Sequence, residues 1–390
     1  MNDDPSRPST FQSGSPALLP AGLADLLPPD AEREALLVEA IMAVFAAHGY
    51  ERIKPPLLEF EDSLLAGSGA AVAEQTFRLM DPVSQRMMGL RADTTPQAAR
   101  IAATRLAGDA RPLRLCYAGQ VLRVRGTQLA PERQIPQAGI ELIGTDAAAA
   151  DAEVAVVATE ALAAVGLAPA TLDVTLPTMT PALLEAGGVP PPLAQRLSLA
   201  LDRKDAAAVD ALSAEAGPTA AALPALLRSA GPADGALAAL AAADLPPAAR
   251  AIADNAAAVV SAVRDRAPSL RVTLDPVEFR GLRYHVGVAF TLYGPGGSGE
   301  LARGGRYLTP GDESATGMTL YPNAVLRGAP APPPRPRVFV PLGSPDAAVR
   351  ALRGEGFATV AALSGADTPE RLRCTHVLRD GAAAPLAAGA

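Results

Sequence analysis

Apolar residues near the start of the chain follow the spacing of an amphipathic helix. After position 30 they recur on one helical face: Leu36, Ile41, Val44 and Phe45. Asp30 is suited to be the N-cap of this helix, and Gly49 is suited to end it. The next apolar segment, residues 53–58, contains two prolines, so it is predicted to be an extended segment at the edge of a sheet.

A β-hairpin is predicted next, because two short apolar runs, residues 76–80 and 87–91, flank a turn that contains proline. A helix over residues 97–105 follows it. Thr94 or Thr95 is a candidate cap for this helix, since a threonine hydroxyl accepts hydrogen bonds from free backbone amides.

A second hairpin carries the most informative polar residues. Arg123 ends its first apolar run, and the second run begins at Gln137. Side chains alternate along a strand, so Gln137 and Glu141 project together, with Gly139 leaving open space between them. This arrangement suits a small cationic ligand, and Arg123 suits an anion. A polar-faced hairpin in water explains the same pattern, and the hairpin alone leaves both interpretations open.

Later segments change in character. A helix over 151–165 and a strand over 171–176 precede an Ala/Leu/Pro-rich stretch, residues 178–266, which is predicted to form short helices. Three strands follow over 271–275, 279–293 and 300–307. After a proline linker at 330–336, three short strands and one helix are predicted before a disordered alanine-rich tail that begins near Ala382. Residues 1–16 are predicted to be a disordered polar tail.

Composition narrows the function. The chain has 390 residues, enough for two or three domains, and a formal net charge of −7, which does not suit a general nucleic-acid binder. Two cysteines exclude a disulfide framework, and three widely separated histidines disfavour a zinc site. Neither a membrane span nor a signal peptide is recognisable, so we expect a cytosolic protein without a metal or cofactor.

The second hairpin resembles motif 2 of class II aminoacyl-tRNA synthetases in its histidine-specific form. Eight residues are in register with that motif: Arg123, Gln128, Arg133, Gln134, Gln137, Gly139, Glu141 and Gly144. Three positions depart from it, because Arg125, Gly126 and Thr127 replace a glutamate, an arginine and a proline. In the synthetases this loop contacts ATP and the tRNA acceptor end, so the departures put that chemistry in doubt.

Other segments extend the resemblance over residues 17–327. The helix and proline-containing strand near the start resemble motif 1, the dimer interface of these synthetases. Residues 280–285 (RGLRYH) and 304–307 (GGRY) are similar to two signatures of histidyl-type cores. The resemblance implies an α+β fold: an antiparallel sheet flanked by helices. The core would comprise 17–177 and 267–329, with a helical insertion at 178–266 and a truncated α/β remnant at 337–390.

Motif 3 is where the resemblance fails. The synthetases have a glutamate and an arginine there, and the arginine holds the ATP γ-phosphate, whereas this chain has Asn323 and Ala324. Arg327 lies one turn later on the helix and cannot occupy the same point. The C-terminal remnant is also shorter than an anticodon-binding domain of this class, so neither ATP activation nor tRNA binding is expected.

A chain that retains the amino-acid pocket but lacks the ATP-binding arginine resembles the synthetase-like regulatory subunits of ATP phosphoribosyltransferase, a protein family that acts in histidine biosynthesis. The resemblance implies no catalytic residues and eight histidine-binding residues: Asp93, Thr95, Arg123, Gln137, Glu141, Arg280, Tyr284 and His285. It also implies a homodimer within a hetero-octamer, with a short-form catalytic subunit as partner, histidine as allosteric ligand, and no tRNA. The alternative is a divergent histidyl-tRNA synthetase, or a synthetase paralogue with ligase activity.

Overall fold

The structure is a computed structural model that describes residues 19–127, 130–278, 284–295 and 299–386. The tail expected over residues 1–16 lies outside the described residues. The chain divides into two compact units at Pro330, and each is described by itself.

The larger unit is built on a mixed sheet, to which nine strands of the described chain belong. They are β1 (Glu51–Arg52), β5 (Leu113–Leu122), β6 (Gln134–Ile143), β7 (Thr171–Thr175), β8 (Gly231–Pro232), β9 (Arg271–Asp275), β10 (His285–Tyr293), β11 (Glu300–Leu308) and β12 (Ser314–Leu320). Their order is β1-β5-β6-β12-β11-β10-β7-β9-β8. From β5 to β7 every neighbouring pair is antiparallel, so the sheet is centred on the antiparallel core that the resemblance implies.

Helices cover the sheet and share its core. They are α1 (Asp30–Ala47), α4 (Ala148–Ala164) and α11 (Pro322–Gly328). Ile41 and Phe45 of α1 are fully buried there, as the helical spacing predicted, and Val44 is partly buried. Leu36, which was predicted on the same face, is exposed. Asp30 is not the N-cap: Pro29 takes that position, and Asp30 is the first helical residue, where its carboxylate pairs with Arg33 at 2.8 Å.

The first hairpin forms a separate small sheet beside the core. Its strands are β2 (Leu58–Phe60), β3 (Phe77–Met80) and β4 (Met87–Leu90), and α2 (Glu61–Leu64) and a 3-10 helix (Gly67–Gln75) lie between β2 and β3. The segment 53–58 is not one strand as expected. Its residues connect β1 to β2, so the chain leaves the large sheet there and enters the small one.

The stretch over 178–266 contains six α-helices in the described chain, besides a 3-10 helix at Pro218–Ala220. They are α5 (Met179–Ala186), α6 (Pro191–Asp202), α7 (Ala206–Ala216), α8 (Leu223–Ser229), α9 (Ala233–Ala242) and α10 (Pro247–Arg266). Lys204, in the turn between α6 and α7, forms ion pairs with Asp275 at 2.6 Å and Glu278 at 2.8 Å. These contacts attach the helical stretch to the end of β9.

The second unit has its own small core. A helix, α12 (Asp346–Gly354), accompanies four strands: β13 (Arg337–Val340), β14 (Ala358–Ala361), β15 (His376–Arg379) and β16 (Ala382–Pro385), in the order β14-β13-β15-β16. The expected disorder from Ala382 onward is therefore wrong for residues 382–385, which pair with β15 through their backbone. Residues 387–390 lie outside the described chain. No helix in the described part of either unit is long and apolar enough to cross a membrane.

Candidate functional site

A polar pocket lies on one face of the central strands. Its lining residues come from β10, β11 and β12 and from the segment before α3 (Thr95–Thr104): Asp93, Thr95, Tyr284, His285, Arg303, Gly304, Gly305, Tyr307, Gly317, Thr319 and Tyr321. Four of the eight expected histidine-binding residues, Asp93, Thr95, Tyr284 and His285, are therefore brought together here.

Glu141 is not itself a lining residue, but it is completely buried against two of them, Tyr307 and Gly317. The Tyr307 hydroxyl donates to its carboxylate at 2.9 Å, and the Tyr117 hydroxyl donates at 3.4 Å. Gly317 is its partner on β12, and a Cβ at that position would collide with the carboxylate. Burial raises the pKa of Glu141 to about 8, although hydrogen bonds from Thr95 and Tyr307 oppose the rise.

A second carboxylate, that of Asp93, lies close enough to raise the pKa of Glu141 further. The side chain of Asp93 accepts a hydrogen bond from the Thr95 amide at 3.0 Å, which fixes it at the start of α3. The Thr95 hydroxyl lies 3.2 Å from the Tyr117 hydroxyl. Two buried carboxylates and a threonine therefore converge, an arrangement that favours a ligand with cationic, hydrogen-donating groups.

Gln137 contacts Thr94, and its expected contact with histidine stays a prediction. It is not among the residues that line the pocket, and its Oε1 accepts from the Thr94 amide at 3.1 Å and the Thr94 hydroxyl at 2.9 Å. Thr94 occupies the N-cap position of α3, but its hydroxyl points to Gln137 and caps no helical amide. Nε2 of Gln137 is buried without a partner within the described chain. Gln137 thus positions the segment that carries Asp93 and Thr95.

The expected open floor over Gly139 is absent. The ring of Tyr117, its cross-strand partner on β5, covers Gly139, and a Cβ there would lie 2.5 Å from the Tyr117 hydroxyl oxygen. Tyr117 thereby separates Gln137 from Glu141. The sequence pattern did not single out Tyr117, and the alternation on β5 together with the hairpin register is the signal that would have revealed it.

The remaining expected residues divide between the pocket and its surroundings. Arg123 follows β5, where its Nε donates to the carbonyl of Ala92 at 3.4 Å, and it is not a lining residue. Arg280 lies outside the described residues. The rings of Tyr284 and His285 have centroids 4.5 Å apart. Burial, with a smaller contribution from Arg303, lowers the pKa of His285 to about 4, so this imidazole is neutral at pH 7.

Two residues of the GGRY segment face opposite sides of β11. Tyr307 points to Glu141, whereas Arg306 crosses to the helical side and forms a buried ion pair with Asp151 of α4 at 2.6 Å. Thr316 also donates to Asp151 at 2.6 Å. Arg306 therefore fixes α4 to the sheet and does not belong to the pocket, a distinction that the signature alone did not reveal.

The helix that corresponds to motif 3 offers no cation to the pocket. Ala324 is buried in α11. The Arg327 side chain is 63% exposed and lies 3.5 Å from Glu132, so it does not replace the missing arginine. The part of the chain that the structure describes also contains no cluster of metal-ligating side chains.

Comparison with known proteins first identifies the class of proteins to which this chain belongs. A family model described as histidyl-tRNA synthetase matches residues 22–325, and solved structures share the fold. One, titled an ATP phosphoribosyltransferase regulatory subunit/histidyl-tRNA synthetase from Bacillus halodurans, has a TM-score of 0.77 at 23% identity, covering 94% of this chain and 97% of that one. A histidyl-tRNA synthetase from a Nostoc species has a TM-score of 0.74 at 19% identity, covering 92% and 88%. The expected class II synthetase-like fold is confirmed, and the class is that of histidyl-tRNA-synthetase-like proteins.

Curated relatives identify one family within this class. The protein named ATP phosphoribosyltransferase regulatory subunit in Paramagnetospirillum magneticum is 55% identical over 92% of this chain and 94% of the relative. Its namesake in Rhodospirillum centenum is 52% identical over 98% of each. The chain belongs to the family of ATP phosphoribosyltransferase regulatory subunits.

Proposed function

We propose that this chain is a non-catalytic subunit that binds histidine and makes a partner ATP phosphoribosyltransferase subunit sensitive to it. The observation that carries the proposal is a contrast between two sites in the larger unit. Glu141 and Asp93 bring two buried carboxyl groups together, while Ala324 stands where ATP activation requires a cation. The names of the relatives support the assignment to this enzyme complex.

The chemistry of the pocket matches histidine among the amino acids. An ammonium group and an imidazole both carry N–H donors, and Asp93, Thr95 and Glu141 supply acceptors. Tyr284 contributes an aromatic face, edge-on to Tyr307 with centroids 6.0 Å apart. Without the motif 3 arginine, a γ-phosphate has no cationic partner on α11, and adenylation loses its orientation.

Feedback inhibition by histidine then follows from the linkage between histidine binding and the state of the complex. Histidine can inhibit only if it binds one state of the complex more tightly than another, and a tenfold preference corresponds to about 1.4 kcal/mol of coupling. Catalysis belongs to the partner, so the coupling crosses a subunit interface. We propose that the segment from 280 to 291 and the loop over 125–133 respond to the ligand, because Tyr284 and His285 of the first line the pocket and the second leads into β6, which carries Glu141.

Reconstitution tests this function. The purified chain is mixed with the short-form catalytic subunit encoded by the same genome, and formation of phosphoribosyl-ATP is followed with and without histidine. We expect the catalytic subunit to be inactive alone, active in the mixture, and inhibited by histidine. Glu141→Ala should give an active complex that histidine no longer inhibits. A catalytic subunit that is fully active alone, or a variant complex inhibited like wild type, would contradict the proposal.

A further inference from the structure

Arg303 gives the pocket a cation that is not among the residues the family resemblance assigns. Among the described residues that line the pocket, it is the one with a permanent positive charge. It lies on β11 opposite Thr319, and Thr319 lies opposite Gly139 on β6, two residues from Glu141. Strand spacing therefore places the backbone of Arg303 roughly 12 Å from that of Glu141, so cation and carboxylate approach the pocket from different strands.

The guanidinium of Arg303 has donors to spare. Its Nη2 donates to Glu300 at 2.6 Å, and both of these side chains are partly exposed. Its Nε is buried and has no partner within the described chain. Arginine presents five N–H donors in a rigid fork, so an ion pair through one nitrogen leaves room for a second carboxylate.

The neighbours of Arg303 do not duplicate its charge. His285 lines the same part of the pocket, and burial together with Arg303 lowers its pKa to about 4, which keeps the imidazole neutral. Tyr321, on the other side, is also uncharged, because burial raises its pKa to about 12. Among the described residues that line the pocket, an anionic group that enters this side therefore meets Arg303 as the only cation, with the neutral rings of His285 and Tyr321 beside it.

We propose that Arg303 binds the α-carboxylate of the bound amino acid and makes the pocket select histidine over analogues without that carboxylate. The inference rests on the proposed histidine-binding function. Asp93 and Glu141 hold the nitrogen-bearing groups, and Arg303 holds the opposite charge. A zwitterionic ligand is thus bound at both of its charges, whereas an amino alcohol is bound at one.

Calorimetry on the full chain tests this with two ligands, L-histidine and histidinol, in which a CH2OH group replaces the carboxylate. Wild type should bind L-histidine at least tenfold more tightly than histidinol. Arg303→Gln should weaken L-histidine at least tenfold and change histidinol less than twofold. Arg327→Gln, which removes an arginine that is exposed and ion-paired on α11, is the matched control and should bind both ligands like wild type.

The outcomes separate this inference from the proposed function. If wild type binds neither ligand, both the proposed function and the role of Arg303 are refuted. If wild type binds L-histidine and Arg303→Gln binds it equally well, or loses both ligands to the same extent, only the role of Arg303 falls. If thermal unfolding shows that Arg303→Gln does not fold, Arg303→Lys takes its place in the test. An ammonium lacks the planar fork of a guanidinium, so the preference for L-histidine over histidinol should drop several-fold. An unchanged preference overturns the proposal.

Discussion

Tyr307 donates its hydroxyl to the fully buried carboxyl group of Glu141, from two strands away across the central sheet. The contact joins a residue of a sequence signature to the residue on which the proposed ligand chemistry depends. Because Glu141 is shielded from water, its protonation state affects both the stability of the chain and the charge of the pocket.

The pH dependence of stability should reveal this buried carboxyl group. Its pKa rises from 4.5 to about 8 on folding, so between these pH values the folded state keeps a proton that the unfolded state has lost. The stability that this group contributes is complete below pH 4.5 and is lost as the pH rises through 8. Relative to Glu141→Gln, wild type should lose up to about 1.4 kcal/mol of unfolding free energy per pH unit between pH 6 and 8. Urea unfolding at several pH values measures this, and parallel curves for the two proteins would contradict it.

Removal of the same carboxyl group should weaken histidine binding. Glu141→Ala leaves a donor of the ligand without its acceptor, at a cost of about 2–3 kcal/mol for a buried, charged hydrogen bond. Calorimetry with L-histidine measures the loss. Glu160→Ala removes a carboxylate that is half exposed and paired with His48, so it should bind like wild type. Unchanged binding in Glu141→Ala would remove this residue from the site.

Synthetase activity should be absent. We expect no histidine-dependent exchange between ATP and pyrophosphate, because Ala324 offers no charge to the γ-phosphate and Arg327 is directed to Glu132. Isotope exchange with the purified chain measures this, beside a histidyl-tRNA synthetase as positive control. Exchange clearly above a no-enzyme blank would instead support the alternative of a divergent synthetase.

A dimer through α1 and the segment around residues 53–58 is predicted by the resemblance to motif 1. Leu57 and Leu36 are each 55% exposed in the single chain. Their exposure is consistent with burial by a second copy. Leu57→Asp should therefore yield monomers in light scattering at micromolar concentration. Leu363→Asp, at a position 90% exposed in the smaller unit, should remain dimeric. A monomeric wild type would refute the dimer.

Local pattern predicted the elements more reliably than it predicted the pocket. The spacing of Ile41 and Phe45 identified α1, because a helix is specified by residues within a few turns. The contact between Thr94 and Gln137 joins residues 43 positions apart, and Tyr117 covers Gly139 only because of the hairpin register. Contacts of this kind depend on how strands pair, which periodicity does not encode.

The opposite orientations of Arg306 and Tyr307 on β11 affect how sequences of this class can be sorted. One residue of the GGRY segment fixes a helix to the sheet, and the other supports the pocket, so neither contact involves ATP. A search that relies on this segment will therefore not separate synthetases from chains that lack the motif 3 arginine. The residue at position 324, which appears in no part of that signature, is the better criterion for separating them.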